Sequence, residues 1–445
     1  MMNLPYEVNT ALEMLKNAGY EAYIVGGCVR DSLLGAVPKD HDITTSALPQ
    51  QTEAVFKSFR VVETGIKHGT VTVIINGMPL EITTYRIDSE YVDCRRPTSV
   101  SFTKSLQEDT ARRDFTMNAI AYNPTDGLAD FHGGAEDINN RIIRCVGCPD
   151  ERFQEDALRI MRAVRFSSVL GFNVENETKK SLFKNKALLD NISRERIASE
   201  FIKLLCGKDV FRVLTEYKEI IAQIIPEVSP MFGFDQHSRY HIYDVWEHTA
   251  KVTESIQNEP VLRLAAFFHD IGKPHCFSMK DGEGHFYGHA SVSEGICKKV
   301  LSGLKLDNKT KDTVTQLVKL HDVQIDEAQA AVKRFMSRRS PELYYMLLKL
   351  KRADTLGQTP KVIDRLEMLD RMEKLADEVL SAEACFSLKD LSVNGSDIIS
   401  LGVRPGRIVG QTLEALLEKV IAGELKNEKQ ELLASAKEIL GVGEK

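Results

Sequence analysis

The stretch GGCVRDSLLGAVPKDHDITTSA, residues 26–47, restricts the fold of this chain more than any other. An apolar run (Tyr23, Ile24, Val25) leads into a Gly-Gly pair. A short amphipathic segment follows, then Asp40, His41 and Asp42 ahead of the β-branched Ile43, Thr44 and Thr45. The order reads as strand, glycine turn, helix, strand. Gly26 and Gly27 let the backbone approach a phosphate closely, and the helix after them points N–H donors and the positive end of its dipole at the same place. Arg30 adds a bidentate donor. Asp40 and Asp42, spaced i, i+2, would share one face of a strand, so that their carboxylates converge. Converging carboxylates hold a hard cation such as Mg2+, which bridges to phosphate oxygens. Taken singly, each half has a plainer reading: a tight turn beside a surface arginine, and a solvated strand end. Together they suit a nucleoside triphosphate carried with magnesium.

The surrounding segments extend the same unit. Residues 4–19 have apolar positions at helical spacing and stop at Gly19, and residues 21–87 alternate short strands and helices. GTVTVIINGMPLEITTY reads as a hairpin with Asn76-Gly77 at its turn. In its second arm Glu81 faces away from Leu80 and Ile82, which makes it either a third acid for the cation or a structural hydrogen-bonding carboxylate. Beyond about residue 150 strand signals stop and helical periods take over. A chain of 445 residues exceeds one ordinary core, so several domains are expected. No apolar run reaches the length of a membrane span, and the first residues lack the layout of a signal peptide, so a cytoplasmic protein without membrane contact is expected. Cys145 and Cys148 form a close pair with no second pair to complete a zinc site, and the eight cysteines read as free thiols. A net charge of −6 argues against non-specific coating of nucleic acid and leaves a local basic groove open.

The Gly-Gly, arginine and Asp-x-Asp spacing resembles the signature of the polymerase-β-like nucleotidyltransferases, in particular the class II tRNA nucleotidyltransferase and bacterial poly(A) polymerase family. Other segments resemble that family's later motifs in order: ARRDFTMNAIAYN (111–123), the hinge-like TDGLADFHGGAEDINNRIIRCVG (125–147), ERFQEDALRIMRAVRF (151–166) and SRERIASEF (193–201). The resemblance implies that Arg113 contacts phosphate, with Asp114 and Asn118 near the ribose, and that residues 151–166 select the base. The family commonly has an acidic residue where Cys148 stands. In a continuous helix Asp156 and Arg159 are i, i+3 neighbours able to pair on one face. A carboxylate acceptor and a guanidinium donor match the amino group and ring nitrogen shared by cytosine and adenine, whereas guanine and uracil present the reverse. Arg162 and Arg165 continue a basic stripe suited to triphosphate or RNA backbone. In the family, a loop such as YRIDSEYVDCRRPTSVSF (85–102), with Asp93, Arg95, Arg96 and Pro97, accompanies addition of the terminal A.

A second set of motifs lies in the helical half. HIYDVWEHTAKV, FFHDIGKP, FYGHA, LVKLHDV and LKRADTLGQ together resemble the HD phosphohydrolase domain. By that resemblance His248, His269, Asp270 and Asp354 are core ligands of a divalent metal of unknown identity, and His289 and His321 extend the set to a second ion. Such a site hydrolyses phosphate esters with a metal-bound water. In the tail, Gly402, Pro405, Gly406 and Gly410 are expected to shape a turn, with Arg404 and Arg407 toward an RNA backbone or in plain helix packing.

The expected fold is α+β: a polymerase-β-like head with a small mixed sheet at 1–145, a helical neck at 146–205, an HD-type helical domain at 206–358 and a helical tail at 359–445 that binds tRNA. The function implied by the resemblance is template-independent addition of CCA to the tRNA 3′ end from CTP and ATP, with Asp40, Asp42 and Glu81 catalytic and Mg2+ as cofactor. Two alternatives stay open. One is A-only addition or poly(A) synthesis on the same scaffold, and the other is an HD metal phosphohydrolase whose N-terminal half binds RNA. The sequence carries no signal for an oligomeric state.

Overall fold

The computed structural model describes residues 2–65, 69–88, 91–92, 96–97, 100–238, 242–359, 363–381 and 387–442. They form two compact units, one of residues 1–227 with 303–305, the other of 228–302 with 306–445.

The first unit opens with α1 (Tyr6–Asn17), whose Val8, Ala11, Leu12 and Leu15 are buried; removing the larger three from water contributes roughly 1.5–3 kcal/mol each. Gly19, at φ +86°, ends the turn beyond it. Next come β1 (Ala22–Val25), α2 (Gly27–Leu33), β2 (Asp42–Thr45), α3 (Pro49–Val55), β3 (Arg60–Gly65), β4 (Thr70–Ile75) and β5 (Met78–Thr84). β4 and β5 are the expected hairpin, and Asn76 and Gly77 both take positive φ at its tip. Alternation sets the buried faces: Val71, Val73 and Ile75 on β4, and Leu80 and Ile82 on β5, point inward while Glu81 points out.

β6 (Arg86–Asp88) pairs with β9 (Val100–Phe102), and β7 (Tyr91–Val92) with β8 (Arg96–Pro97). Of the loop residues singled out above, Asp93 and Arg95 lie outside the described residues. α4 (Leu106–Ala111), β10 (Ala121–Asn123), β11 (Gly127–Ala129) and α5 (Gly134–Asn139) complete the sheet and its surroundings. Its order is β11-β10-β1-β2-β5-β4-β3, with β2 and β5 parallel and the other neighbours antiparallel, so the expected small mixed sheet has seven strands.

Strand structure does not stop at 150. β12 (Ile142–Ile143) pairs in parallel with β13 (Asn173–Val174), and a later hairpin joins β14 (Ser278–Lys280) to β15 (Glu283–His285). These two- and three-residue strands are too short to leave a period. Between and after β12 and β13 run α6 (Pro149–Glu155), α7 (Leu158–Leu170), α8 (Asn176–Asn185), α9 (Arg194–Leu205), α10 (Val210–Glu216) and α11 (Lys218–Ile224), with α7 packed on α9.

The second unit is built from α12 (Val245–Ser255), α13 (Pro260–Phe268), α14 (His289–Gly303), α15 (Asn308–Leu320), α16 (Gln329–Arg338), α17 (Pro341–Leu356) and α18 (Ile363–Ser381). α13 is its central element: Leu262 and Leu264 to Phe268 are all buried, and it packs on α12, α15 and α17. The tail helices α19 (Gly395–Ile399), α20 (Arg407–Ala422) and α21 (Lys429–Leu440) close their own core around Ile398, Leu416, Leu432 and Ala436. Gly402 and Gly406, at positive φ, do shape the expected turn, but Gly410 lies inside α20 and takes no part in it. No described helix is long and apolar enough to cross a membrane.

Candidate functional site

Parallel pairing of β2 with β5 sets Asp42 directly beside Glu81 at one end of the sheet, and Asp40 lies two residues ahead of β2. Asp40 is thus before the strand rather than on it, so the shared strand face applies to Asp42 and Glu81 as neighbours, not to Asp40 and Asp42 as i, i+2. Desolvation, with Asp40 and Glu81 adding repulsion and Arg113 offsetting part of it, lifts the Asp42 carboxyl up to about 6. An Asp42 carboxyl that resists ionisation is relieved by a cation, and an oxygen-only donor set suits Mg2+, although the ligand atoms of Asp40, Asp42 and Glu81 are not gathered within 4.8 Å as two groups in the second unit are.

The glycine turn lies beside Arg113 and Asn118. Gly26 has φ +83°, which favours glycine, and a Cβ there would sit 3.4 Å from Nη1 of Arg113, in ordinary contact with it. Arg113 Nη2 donates to Asp109 (3.3 Å), while its Nε is buried without a hydrogen-bond partner. A guanidinium anchored at one nitrogen and unsatisfied at another fits a phosphate oxygen. Arg30 is buried; it donates to Asn118 Oδ1 (2.8 Å) through Nη1 and to Asp31 through Nε and Nη2. Asn118 donates in turn to Asp114 (3.1 Å), and Asp114 accepts from Arg162 Nε (2.8 Å) on α7. Burial alone would raise the Asp114 carboxyl, but Arg162 and Asn118 hold it at about 2. One hydrogen-bonded chain thus runs from the helix after the glycine turn to α7 in the 151–166 segment.

That segment departs from the expected single helix. α6 ends at Glu155, Asp156 has extended backbone (φ −137°, ψ 99°), and α7 starts at Leu158. Asp156 and Arg159 therefore do not pair. Asp156 accepts from Arg196 of SRERIASEF (3.2 Å) and from the N–H of Leu158 (3.1 Å), whereas Arg159 donates to Glu155 (2.9 Å) and to the carbonyl of Arg112 (2.8 Å). The physical reason is local competition: the Asp156 side chain satisfies an N–H that a continuous helix would bond through its backbone. The basic stripe is also spoken for. Arg162 is bound to Asp114, and Arg165 pairs with Glu200 (2.6 Å) while stacking on Phe166, 3.7 Å from the ring centroid. Arg30 and Arg162 flank the same ring at 5.0 and 5.4 Å. Sequence reasoning passed over Glu155 and Arg196, although both stand inside the quoted motifs; a carboxylate and a guanidinium able to fix an acid and a base three residues apart were the available signal.

In the second unit the six singled-out residues do converge. His248, His269 and Asp354 form one group of possible ligand atoms, and Asp270, His289 and His321 another, each within 4.8 Å. Asp270 joins them: Oδ2 lies 3.2 Å from His269 Nε2 and 3.4 Å from His248 Nε2, while Oδ1 lies 3.4 Å from His289 Nε2 and 3.6 Å from His321 Nε2. All four imidazoles are aimed alike. Their Nδ1 atoms meet backbone carbonyls: Gly357 for His248 (3.2 Å), Ala266 for His269 (2.7 Å), Phe286 for His289 (2.8 Å) and Val318 for His321 (2.6 Å). Donation there leaves every Nε2 as a lone pair facing the cluster, the arrangement metal-binding histidines adopt. His289 and His321 approach to 3.0 Å through these same atoms, a contact that needs a proton or a cation between them. Burial opposes ionisation of Asp270, but His269 and Lys273 hold its carboxyl well below the usual range. Lys273, which sequence reasoning did not single out, is 2.7 Å from Asp270. A cleft of about 570 Å³ opens on the cluster, lined also by His285, Tyr287 and Lys351. Among the described residues Cys145 and Cys148 are free thiols.

Family models match the chain in this order: one described as "Poly A polymerase head domain" at residues 22–144, one described as "Probable RNA and SrmB- binding site of polymerase A" at 171–232, and one described as "tRNA nucleotidyltransferase domain 2 putative" at 286–436. A CCA-adding enzyme of Ligilactobacillus salivarius (strain UCC118) is 34% identical over 447 residues, covering 98% of each chain. The crystal structure of the Bacillus stearothermophilus CCA-adding enzyme in complex with CTP matches with a TM-score of 0.77 at 32% identity, over 98% of this chain and 97% of that one. The Thermotoga maritima CCA-adding enzyme complexed with tRNA-CCA shares the fold, with a TM-score of 0.60 at 20% identity over 98% and 96% of the two chains.

Proposed function

The chain belongs to the CCA-adding enzymes, and from that premise we propose how its residues divide the work. The enzyme is a tRNA nucleotidyltransferase that adds CCA to the tRNA 3′ end from CTP and ATP without a template. The 3′-hydroxyl of the RNA attacks the α-phosphorus and pyrophosphate leaves. A divalent metal ion takes part, which we assign as Mg2+ held by Asp40 and Asp42 with Glu81 beside them; when bound, it polarises the attacking hydroxyl and neutralises charge on the phosphates. We place this work in the cytoplasm, with the tRNA substrate.

The chain's own residues do the rest. Arg113 and Arg30 orient the triphosphate, the glycine turn lets the phosphates approach the backbone, and the chain Arg30–Asn118–Asp114–Arg162 holds the turn in register with α7. Asp156 accepts from the exocyclic amino group of cytosine or adenine, and Arg159 donates to the adjacent ring nitrogen. Each is aimed by its own partner, Arg196 and Glu155, rather than by the other. The observations that support this reading are the pairing of Asp42 with Glu81 and, in the same unit, the unsatisfied Nε of Arg113. The test is incubation of purified protein with tRNA lacking CCA, supplying CTP and ATP separately and together. Failure to incorporate C would overturn it.

Base choice gives a sharper check. Arg159→Ala removes the donor that cytosine and adenine need and that uracil and guanine oppose. Incorporation of C is expected to fall about a hundredfold, and the preference for CTP over UTP to shrink by more than that, because a site built on hydrogen bonds discriminates by leaving polar groups unpaired. Equal losses for CTP and UTP would place Arg159 outside base selection.

A second reading concerns the body cluster. The four aligned imidazoles and the shared Asp270 support a site for one or two divalent ions, and with them a metal phosphohydrolase activity separate from nucleotide addition. His269→Ala is expected to lower metal content, measured by mass spectrometry on the purified protein, and to leave C incorporation intact.

A further inference from the structure

Asp109 was not among the residues singled out from the sequence, yet it is fully buried and is the most heavily bonded carboxylate beside the nucleotide site. Its Oδ1 accepts from Arg112 Nε (3.0 Å) and Nη2 (2.8 Å) and from the backbone N–H of Arg86 (3.3 Å); its Oδ2 accepts from Thr44 Oγ1 (3.1 Å) and Arg113 Nη2 (3.3 Å). A carboxylate offers about four lone-pair sites, so five contacts saturate it. The donors come from three places: β2 two residues beyond Asp42, the first residue of β6, and the Arg112–Arg113 pair just beyond α4. Of the two guanidinium groups on this carboxylate, that of Arg113 lies beside Gly26.

We propose that Asp109 is a positioning residue for the nucleotide: it fixes the Arg113 guanidinium over the glycine turn and holds it back from the acidic group at Asp42. This rests on the reading of Arg113 as a triphosphate contact. Thr44, two residues beyond Asp42 on β2, donates to the same Asp109 Oδ2 that holds Arg113, so the anchored guanidinium lies near the acidic end of that strand. With the Asp109 charge gone, the acids at Asp42 and Glu81 become its strongest available partners. A guanidinium drawn there would compete with the divalent ion and vacate the phosphate position. Burial alone would push the Asp109 carboxyl up, but Arg113 and Arg112 hold it down, so the charge the proposal needs is present at neutral pH.

The test compares Asp109→Asn, Arg113→Ala and the double variant, with thermal melts as a check on folding. Asp109→Asn is expected to raise KM for both CTP and ATP about tenfold and to raise the Mg2+ concentration for half-maximal activity several-fold, with KM for tRNA unchanged. The double variant is expected to be no worse than Arg113→Ala alone, since both changes disable one device. Equal changes in every constant alongside a lowered Tm, or effects that multiply in the double variant, would reduce Asp109 to a structural role. An unchanged nucleotide KM in Arg113→Ala would instead overturn the triphosphate reading itself, whatever Asp109→Asn does. If Asp109→Asn does not fold, Asp109→Glu carries the test: it keeps the charge and displaces Arg113, so the nucleotide KM should still rise with tRNA KM constant, and no rise overturns the proposal.

Discussion

Asp42→Asn is expected to lower incorporation of both C and A by about a thousandfold or more, and at the same time to make the metal-free protein more stable. On the proposed role of Asp42 in holding the divalent ion, the loss follows from removing a charged ligand where transition-state charge would be neutralised, an effect worth several kcal/mol at about 1.4 kcal/mol per decade. The stability gain follows from linkage. In the metal-free fold the Asp42 carboxyl is raised to about 6 by desolvation and then by Asp40 and Glu81, although the residue stays exposed at the strand end and water screens part of the conflict. A group whose folded pKa is raised contributes stability below its unfolded pKa, and that contribution is lost as pH rises through 6. At pH 7.5 the ionised Asp42 therefore works against the fold, and asparagine removes the conflict. With a chelator present, Tm of Asp42→Asn should exceed that of the wild type at pH 7.5, and by less at pH 5. Added Mg2+ should reverse the order, because only the wild type binds it well. A variant that loses activity with no gain in metal-free Tm would show that the acids are not in mutual conflict.

Asp270→Ala is expected to have the other large effect, on the second unit. Its carboxylate faces Lys273 and four imidazoles, and Lys273 is 6% exposed. Removing one partner of a buried charge pair costs about 3–5 kcal/mol, mostly from the charge left behind. The melting transition should fall by several degrees. The second expectation separates a metal centre from a buried ionic network. Wild-type Tm should drop when the purified protein is stripped by a strong chelator and recover on adding back a divalent ion, whereas Asp270→Ala should respond to neither. A wild-type transition indifferent to chelator and added metal would favour the network.

Parts of this were legible from residue order, and the parts that were not share a cause. The β4–β5 hairpin was readable because its turn is written in two adjacent residues; the acids could be singled out by type, but the spacing argument for Asp40 and Asp42 failed because β2 starts only at Asp42. That Asp42 pairs with Glu81 was not readable, since parallel register between β2 and β5 depends on contacts 39 positions apart along the chain. The break at Asp156 was hidden because apolar period continues through ERFQEDALRIMRAVRF, and only a side chain capturing the Leu158 N–H stops the helix. Asp109 reads as one more solvated acid in SLQEDTARRD; burial alone distinguishes it. The body histidines could be ordered by motif. Three of their four orienting carbonyls lie just three residues earlier, so that much of the geometry is local, but Gly357 reaches His248 across 109 residues.

The ring of Phe166 has a consequence for anyone recombining these enzymes. It sits on α7 with Arg165 stacked on it, and it also carries Arg30, which belongs to the helix after the glycine turn. A chimera joined near residue 145 would graft one parent's Arg30 and Asn118 onto another's Phe166 and Arg162, and would sever the hydrogen-bonded chain wherever the parents differ. The boundary of the first compact unit falls at 227 instead. Cassettes exchanged there keep the turn, the ring and the 151–166 segment as a single heritable block, so natural variation in nucleotide preference is expected to travel with residues on both sides of 145 and not with either side alone.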